Sequence, residues 1–239
     1  MTYQYEVRSI RAFVQRVACE VANRGYVFYV TGHIPAGRAP EDTDQKLLAA
    51  YGLSLSKFQR YRRKSRGIAS VQYIRHRRFF VMLATPGQNL WFEREQWPRE
   101  LRLKRGSRIK DLREEPLRYA GYQIGLRRSS NTGRDHVSVR IQKDEFLGLK
   151  AYFLDIACKR NVENLRWEYA NLPFEPYRGV KKQYGEIARA VNAKRKTQAL
   201  APVPLSSLPA RRKVVPTFLD VDPFAEADRV QPECTVGGP

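Results

Sequence analysis

The sequence predicts an α+β fold in which an antiparallel sheet of two hairpins plus a central strand packs with amphipathic helices. Two observations carry this prediction. Apolar residues recur at helical spacing near both ends of the folded part, over 10–21 and 177–191. Between them lie β-branched and aromatic runs in pairs separated by short polar turns, a pattern typical of hairpins. Hairpins make neighbouring strands antiparallel, and helices then gather on one face or one end of the sheet.

The first half of the chain predicts helices around a strand and a hairpin. An apolar stripe ends at Asn23-Arg24-Gly25, which supplies a helix stop. A β-branched and aromatic run follows at once and indicates the central strand. The expected elements are a helix over 10–21, the strand over 26–31, helices over 41–51 and 54–65, and strands over 70–75 and 78–85 around a turn at His76-Arg77.

The second half predicts another hairpin, three helices and a poorly structured C-terminal tail. The elements are strands over 117–127 and 136–141 around a polar turn, then helices over 143–159, 162–171 and 176–197. Beyond Thr197 the composition shifts to Pro, Ser and Ala without a sustained period. We therefore expect a basic α+β domain over 1–199 and a Pro-rich extended tail over 200–239. The tail residues able to pack on the core are Val203, Leu205, Leu208 and Phe218.

The charge balance is the strongest functional signal in the sequence. The chain has 44 Lys and Arg against 24 Asp and Glu, a formal net charge of +20. Such a surface repels itself, and a polyanion such as DNA or RNA is the commonest partner that neutralises it. No 18-residue apolar run, secretory leader or lipidation motif is present, so we expect no membrane partner.

The three cysteines indicate a reducing, cytoplasmic environment. Cys19, Cys158 and Cys234 are odd in number and far apart, which fits neither a disulfide framework nor a zinc site. Cys19 and Cys158 are expected to be small residues on helices.

Basic clusters supply the candidate binding residues. Arginine predominates in most of them, which suits bidentate contacts with phosphate or guanine. Exposed aromatic rings beside such charges can stack on unpaired bases. The predicted nucleic-acid-binding residues are Arg60, Arg62, Arg63, Lys64, Arg66, Arg75, Arg77, Arg78, Arg102, Lys104, Arg105, Lys181 and Lys182, with Tyr61 and Trp91 as stacking candidates.

Part of the chain resembles the HUH family of rolling-circle replication initiators and single-strand transposases. The resemblance lies in the strand ending VFYVTGHIP, a helical insertion with an Arg-rich end, and the hairpin VQYIRHRRFFVMLAT. It implies a ferredoxin-like antiparallel sheet, a divalent metal and nicking of single-stranded DNA by a tyrosine on a later helix. Matched to this sequence, the catalytic candidates are Tyr177, Tyr184 and His76.

The histidine motif of that family is not intact. Where the family has two alternating histidines on one strand, this sequence has Arg78-Phe79-Phe80-Val81-Met82-Leu83, preceded by His76. One histidine at a turn does not hold a metal. The resemblance therefore favours retained binding with an eroded nuclease centre.

A second pattern is His136-Val137-Ser138-Val139, which is similar to the strand motif of two-histidine phosphoesterases. Those enzymes need a second copy so that one histidine serves as base and the other as acid, and this sequence lacks it. His136, Ser138 and Arg140 nevertheless alternate with core residues on one strand and could contact phosphate.

The leading hypothesis is a DNA- or RNA-binding protein of a mobile element or a ribonucleoprotein, without a cofactor. The alternative is a metal-dependent HUH-like nickase that uses Mg²⁺ or Mn²⁺. A third hypothesis is a ribonucleoprotein subunit whose C-terminal tail contacts RNA or protein partners.

Overall fold

The computed structural model describes residues 3–95 and 109–218. Over these ranges the fold is α+β, as predicted, and the strands form two antiparallel sheets. The sheets and helices enclose three hydrophobic clusters.

The first sheet contains β1 (Phe28–His33), β2 (Val71–His76), β3 (Phe79–Ala84) and β4 (Lys110–Asp111). Its strand order is β2-β3-β1-β4, so β1 lies inside the sheet and pairs with β3 and β4. The predicted β2–β3 hairpin is confirmed, although the turn is formed by Arg77 and Arg78, one residue later than expected.

The second sheet contains β5 (Leu117–Tyr119), β6 (Tyr122–Arg128) and β7 (Asp135–Ile141), in that order. The prediction of one strand over 117–127 is wrong, because the chain reverses at Ala120 and Gly121. Both residues have positive φ, 45° and 76°, as a tight turn requires. The longer hairpin, β6 with β7, is confirmed and pairs Tyr122 with Ile141 at one end and Arg128 with Asp135 at the other.

The helices of the first half are α1 (Ile10–Gln15), α2 (Pro40–Tyr51), α3 (Lys57–Ser65) and α4 (Leu90–Glu95). Helix α1 continues through a π-helical stretch, Arg16–Val21, and a 3-10 turn, Ala22–Arg24. Gly25 ends this long element with a left-handed φ of 87°. Helix α3 begins after Ser56 rather than Ser54.

The helices of the second half are α5 (Lys143–Ile156), α6 (Val162–Ala170) and α7 (Arg178–Thr197). Tyr177 is the N-cap residue of α7, so this helix starts two residues later than predicted. Its predicted apolar stripe is confirmed, because Val180, Tyr184, Ile187 and Val191 are all buried.

Strand alternation divides the core around the first sheet. Val81 and Leu83 of β3 face a cluster shared with α1 and the second sheet, while Met82 and Ala84 face α2 and α4. A third cluster joins α5, α6 and α7 to the end of β7. The long first helix therefore packs between the two sheets and holds them together.

Residues 200–218 follow the surface with little regular structure, as predicted, but they are fixed to the core. The Asn192 side chain makes two hydrogen bonds with the backbone of Val203, at 2.9 and 2.8 Å. The Gln15 side chain likewise bonds the backbone of Val215, at 2.7 and 3.1 Å. Phe218 packs on the cluster around α1, whereas Leu205 remains 49% exposed.

Candidate nucleic-acid interface

A groove lies between the β6–β7 hairpin and the start of α7, and we call it the hairpin groove. It has a volume of about 600 Å³. Strand β7 contributes the predicted polar face: His136 is exposed and Arg140 is partly buried, while Val139 and Ile141 are in the core. Antiparallel pairing places Arg127 of β6 directly opposite His136. The basic residues that line the groove are Arg127, Arg128, His136, Arg140, Arg178 and Lys182.

A glycine in α7 brings the helix close enough to form the groove. A Cβ atom at Gly179 would lie 2.4 Å from the carbonyl oxygen of Val139, so only glycine permits this approach. One turn later, the side-chain amide of Gln183 accepts from the backbone N–H of Ile141 and donates to its carbonyl, at 2.8 and 3.0 Å. These contacts hold the first turns of α7 against β7 and place Arg178 and Lys182 beside the strand.

The charged side chains described in the hairpin groove are all basic. Among the described residues that line it, none is Asp or Glu. Its cations also take part in none of the ion pairs found within 3–95 and 109–218. Burial lowers the pKa of Arg140, and the positive charge of Arg127 lowers it further. Two guanidinium groups that disfavour each other in this way would be stabilised by an anion between them.

The start of α7 adds a further positive contribution. Tyr177 provides no side-chain cap bond to the first turn of this 20-residue helix, and its backbone carbonyl accepts from Lys181. The positive end of the helix dipole therefore faces the same groove as Arg178 and Lys182.

The basic surface continues along α7 beyond the hairpin groove. A second depression shares Arg127, Arg140 and Lys182 with it. The cations that this depression adds are Lys143, Lys181 and Arg189. Its one acidic lining residue is Glu186, whose carboxylate accepts from Lys150 at 2.9 Å. The predicted pair Lys181 and Lys182 thus belongs to this continuous surface.

Helix α3 carries another predicted basic group. Its predicted residues Arg62, Lys64 and the following Arg66 are exposed, while Arg60 and Arg63 are partly buried. The Lys64 ammonium donates to the backbone carbonyl of Arg24 at 3.2 Å. Tyr61, predicted to stack on bases, is 73% exposed.

The prediction that Arg75 contacts phosphate is wrong. Its side chain is 3% exposed and lies within a buried network on the first sheet. The guanidinium pairs with Asp44 at 2.9 Å and with Glu6 at 3.1 Å, and it donates to the carbonyl of Arg77 at 2.7 Å. Because the positive charge is already neutralised inside the protein, Arg75 has a structural role. Its neighbours Arg77 and Arg78 remain exposed on the turn.

Trp91 is also misassigned by the sequence, because its side chain is completely buried. It packs with Phe92 against the face of the first sheet that α2 covers. A ring without an exposed face cannot stack on a base. Arg102, Lys104 and Arg105 lie outside the described residues.

Two of the three catalytic candidates are enclosed. His76 is buried, and its ring nitrogens contact the Tyr119 hydroxyl and the backbone carbonyl of Arg8. Burial lowers the pKa of His76, so the neutral form prevails. The Tyr184 hydroxyl accepts from the N–H of Phe174 and donates to its carbonyl, both at 2.9 Å, and burial raises its pKa. Both residues are therefore structural, and neither can reach a substrate.

Tyr177 differs because it lines the hairpin groove. Its hydroxyl accepts a hydrogen bond from Arg212 at 3.1 Å, and that guanidinium lies 4.8 Å from the ring centroid. Burial raises the pKa of Tyr177 to about 12. The phenol is thus protonated at neutral pH.

Sequence reasoning missed part of the groove, namely Arg127, Arg128 and Arg178. They occur singly or in pairs at element ends instead of in a basic run. The sequence did contain a signal for the two β6 residues. Side chains alternate between the two faces of a strand, so the outward face of β7 can be recognised from the sequence, and the paired strand β6 contributes residues to the same face.

Neither a scan of protein-family models nor a search of curated proteins finds a match for this chain. The HUH-like resemblance therefore stays a prediction. Within residues 3–95 and 109–218, no group of three or more His, Cys, Asp or Glu side chains is placed to hold a metal ion. The helices of the same ranges are all too short or too polar to cross a membrane.

Proposed function

We propose that this protein binds nucleic acid, DNA or RNA, through basic side chains that contact phosphates along the hairpin groove and its continuation on α7. The observation that carries this proposal is the segregation of charge. Arg127, Arg140 and Lys182 occur in both depressions, and the hairpin groove has no acidic lining residue among those described. Carboxylates elsewhere neutralise individual cations, whereas here several cations without an acidic partner among the described residues share one concave surface. A chain of phosphates supplies negative charges in the repeated arrangement that such a surface requires.

A salt titration tests this proposal. Binding of a fluorescently labelled oligonucleotide, followed by anisotropy, should weaken steeply as salt rises. The logarithm of the association constant should fall by about 0.7 to 0.9 per decade of salt for each phosphate neutralised. Replacing Arg127 or Lys182 by Ala should weaken binding and reduce this slope by about one contact each. An affinity that does not change between low and physiological salt, and hence a slope of zero, would reject the proposal.

The matched control is Arg166→Ala on α6. Arg166 is an exposed arginine that does not line either depression, and it pairs with Glu163 at 3.1 Å. Its removal should leave the affinity and the salt slope unchanged. If it weakens binding as much as Arg127→Ala does, net charge rather than the groove determines binding. Digestion of any co-purified nucleic acid with DNase or RNase identifies which polymer is bound.

A second candidate function is nicking of single-stranded DNA by Tyr177. The specific observation in its favour is that Tyr177 lines the groove and its hydroxyl accepts a hydrogen bond from Arg212. Incubation with single-stranded DNA and Mn²⁺ should then give a covalent adduct that is absent from Tyr177→Phe. If the wild-type protein gives no adduct, nicking by Tyr177 is rejected, and the salt titration alone decides whether the protein binds nucleic acid.

A further inference from the structure

Helix α3 exposes two aromatic rings that contribute little to the core. Phe58 is 79% exposed and Tyr61 is 73% exposed. They are three residues apart, so both lie on the same face of the helix. Ser56 and Gln59 form a capping box that fixes the start of the helix, and the rings are therefore presented on an ordered element. Burial in this fold accordingly does not account for these two side chains.

The charge around the rings selects the kind of partner. The segment Lys57–Ser65 contains no Asp or Glu, and Arg62 lies one helical turn after Phe58 on the same face. Lys64 and Arg66 add exposed cations next to it. A partner that matches this surface must combine flat apolar groups with repeated negative charge. Unpaired nucleobases on a sugar-phosphate chain have both properties, whereas an apolar protein surface has only the first.

The position of α3 connects it with the hairpin groove. Its Lys64 ammonium contacts the backbone of Arg24. The preceding residue, Asn23, lines the hairpin groove. The C-terminal end of α3 therefore adjoins the rim of the groove, and one strand could continue from the groove onto the helix.

We propose that Phe58 and Tyr61 form a base-stacking platform that binds unpaired bases of the same nucleic acid whose phosphates lie in the hairpin groove. Arg62 and Lys64 contact the phosphates between the stacked bases. The platform favours single-stranded segments over duplex, because only unpaired bases can leave their own stack to lie on the rings. This inference rests on the proposed function but has a separate test.

The test compares oligothymidine with an oligonucleotide of equal length that carries only abasic sites. Phe58→Ala and Tyr61→Ala should each weaken binding to oligothymidine by about fivefold or more, the lower end of what loss of one stacked base costs. Tyr61→Phe keeps the ring and should retain the affinity. On the abasic oligonucleotide, all three variants should bind as the wild-type protein does. Because the substituted positions are exposed, thermal melting should show that all variants remain folded.

The matched control is Trp167→Ala, which removes another exposed ring, 66% exposed, from α6. It should bind both oligonucleotides as the wild-type protein does. The platform is refuted if Phe58→Ala and Tyr61→Ala bind oligothymidine normally, or if they weaken binding to the abasic chain equally. Preferential, ring-dependent binding to phosphatidylserine vesicles instead of oligothymidine would also refute it.

The groove variants separate failure of the platform from failure of the proposed function. If Arg127→Ala weakens binding while the ring variants do not, the groove binds nucleic acid and the platform is wrong. If oligonucleotide binding is absent altogether, or is unaffected by Arg127→Ala and Lys182→Ala, the proposed function fails. Crosslinking of an iodouracil-containing oligonucleotide to Tyr61 would support the platform directly, and its absence when the groove residues crosslink would contradict it.

Discussion

Removal of the Asp44 carboxylate should strongly destabilise the protein without acting on the proposed nucleic-acid interface. The Asp44 side chain is fully buried, accepts from the Tyr73 hydroxyl and pairs with Arg75 at 2.9 Å. Asp44→Ala would leave a guanidinium that is 3% exposed without its closest counter-charge. Breaking one partner of a buried ion pair costs about 3–5 kcal/mol. Glu6 remains 3.1 Å from the same guanidinium, so we expect about 3 kcal/mol, the lower end of the range.

Urea unfolding followed by circular dichroism measures this loss. The midpoint should fall by about 1 M or more, since small proteins lose about 1–3 kcal/mol of stability per molar urea. Asp42→Ala on the same helix removes an exposed carboxylate and should cost under about 1 kcal/mol. The double variant Asp44→Leu with Arg75→Met removes both charges and should recover much of the stability.

Nucleic-acid binding supplies the second half of this test. The Asp44→Leu, Arg75→Met double variant should bind an oligonucleotide as the wild-type protein does, because Arg75 is already neutralised inside the fold. A loss below about 1 kcal/mol for Asp44→Ala would contradict the network. So would an Arg75→Met variant that keeps its stability and loses affinity, because that result would return Arg75 to the interface.

Three further predictions concern stability and the geometry of the groove. First, the unfolding free energy should decrease as pH falls below about 6.5. Burial lowers the pKa of His76, so the unfolded chain binds more protons in this range than the native protein does. In urea-unfolding experiments at several pH values, His76→Gln should flatten this part of the profile. Second, Arg195→Met should lower the unfolding free energy by about 3 kcal/mol in urea titrations. The buried Arg195 guanidinium donates to the carbonyls of Ala157, Arg160 and Ala201, and the substitution would leave these carbonyls without this donor. Third, Gly179→Ala should lower the unfolding free energy by about 1–3 kcal/mol and weaken oligonucleotide binding in anisotropy assays, because the added Cβ would displace α7 from β7. Gly148→Ala is the control, because Gly148 has open space around it, and this substitution should change neither the stability nor the binding.

Local patterns were sufficient to predict most of the elements. The stripe through Val180 and Val191 has a helical period that is visible without any tertiary contact, and α7 was predicted to its last residue, with its start two residues too early. The β6–β7 hairpin was predicted because strand parity and a polar turn are also local. The reversal at Ala120 and Gly121 was missed because only two residues form it, without the Asn or Asp that marks many tight turns.

The functional assignments failed where a distant residue decides the outcome. Arg75 belongs to a basic run in the sequence, but a carboxylate on α2 neutralises it in the fold. Trp91 stands next to charged residues along the chain, yet its ring faces the first sheet. Tyr61 has a similar sequence setting and remains exposed. Nothing within a few residues of these positions distinguishes them, because burial depends on which helix covers which face of the sheet.

The basic surface of the hairpin groove is a product of packing, which is why charge alone could not locate it. Arg127 and Arg140 are on paired strands, and Lys182 joins them only because Gly179 allows α7 to contact the backbone of β7. Elsewhere several acidic residues pair with individual cations, as Glu186 of the second depression does with Lys150. Within the part of the chain that the structure describes, the cations of this groove have no acidic partner and repel one another, and the proposed binding of phosphate would remove that repulsion.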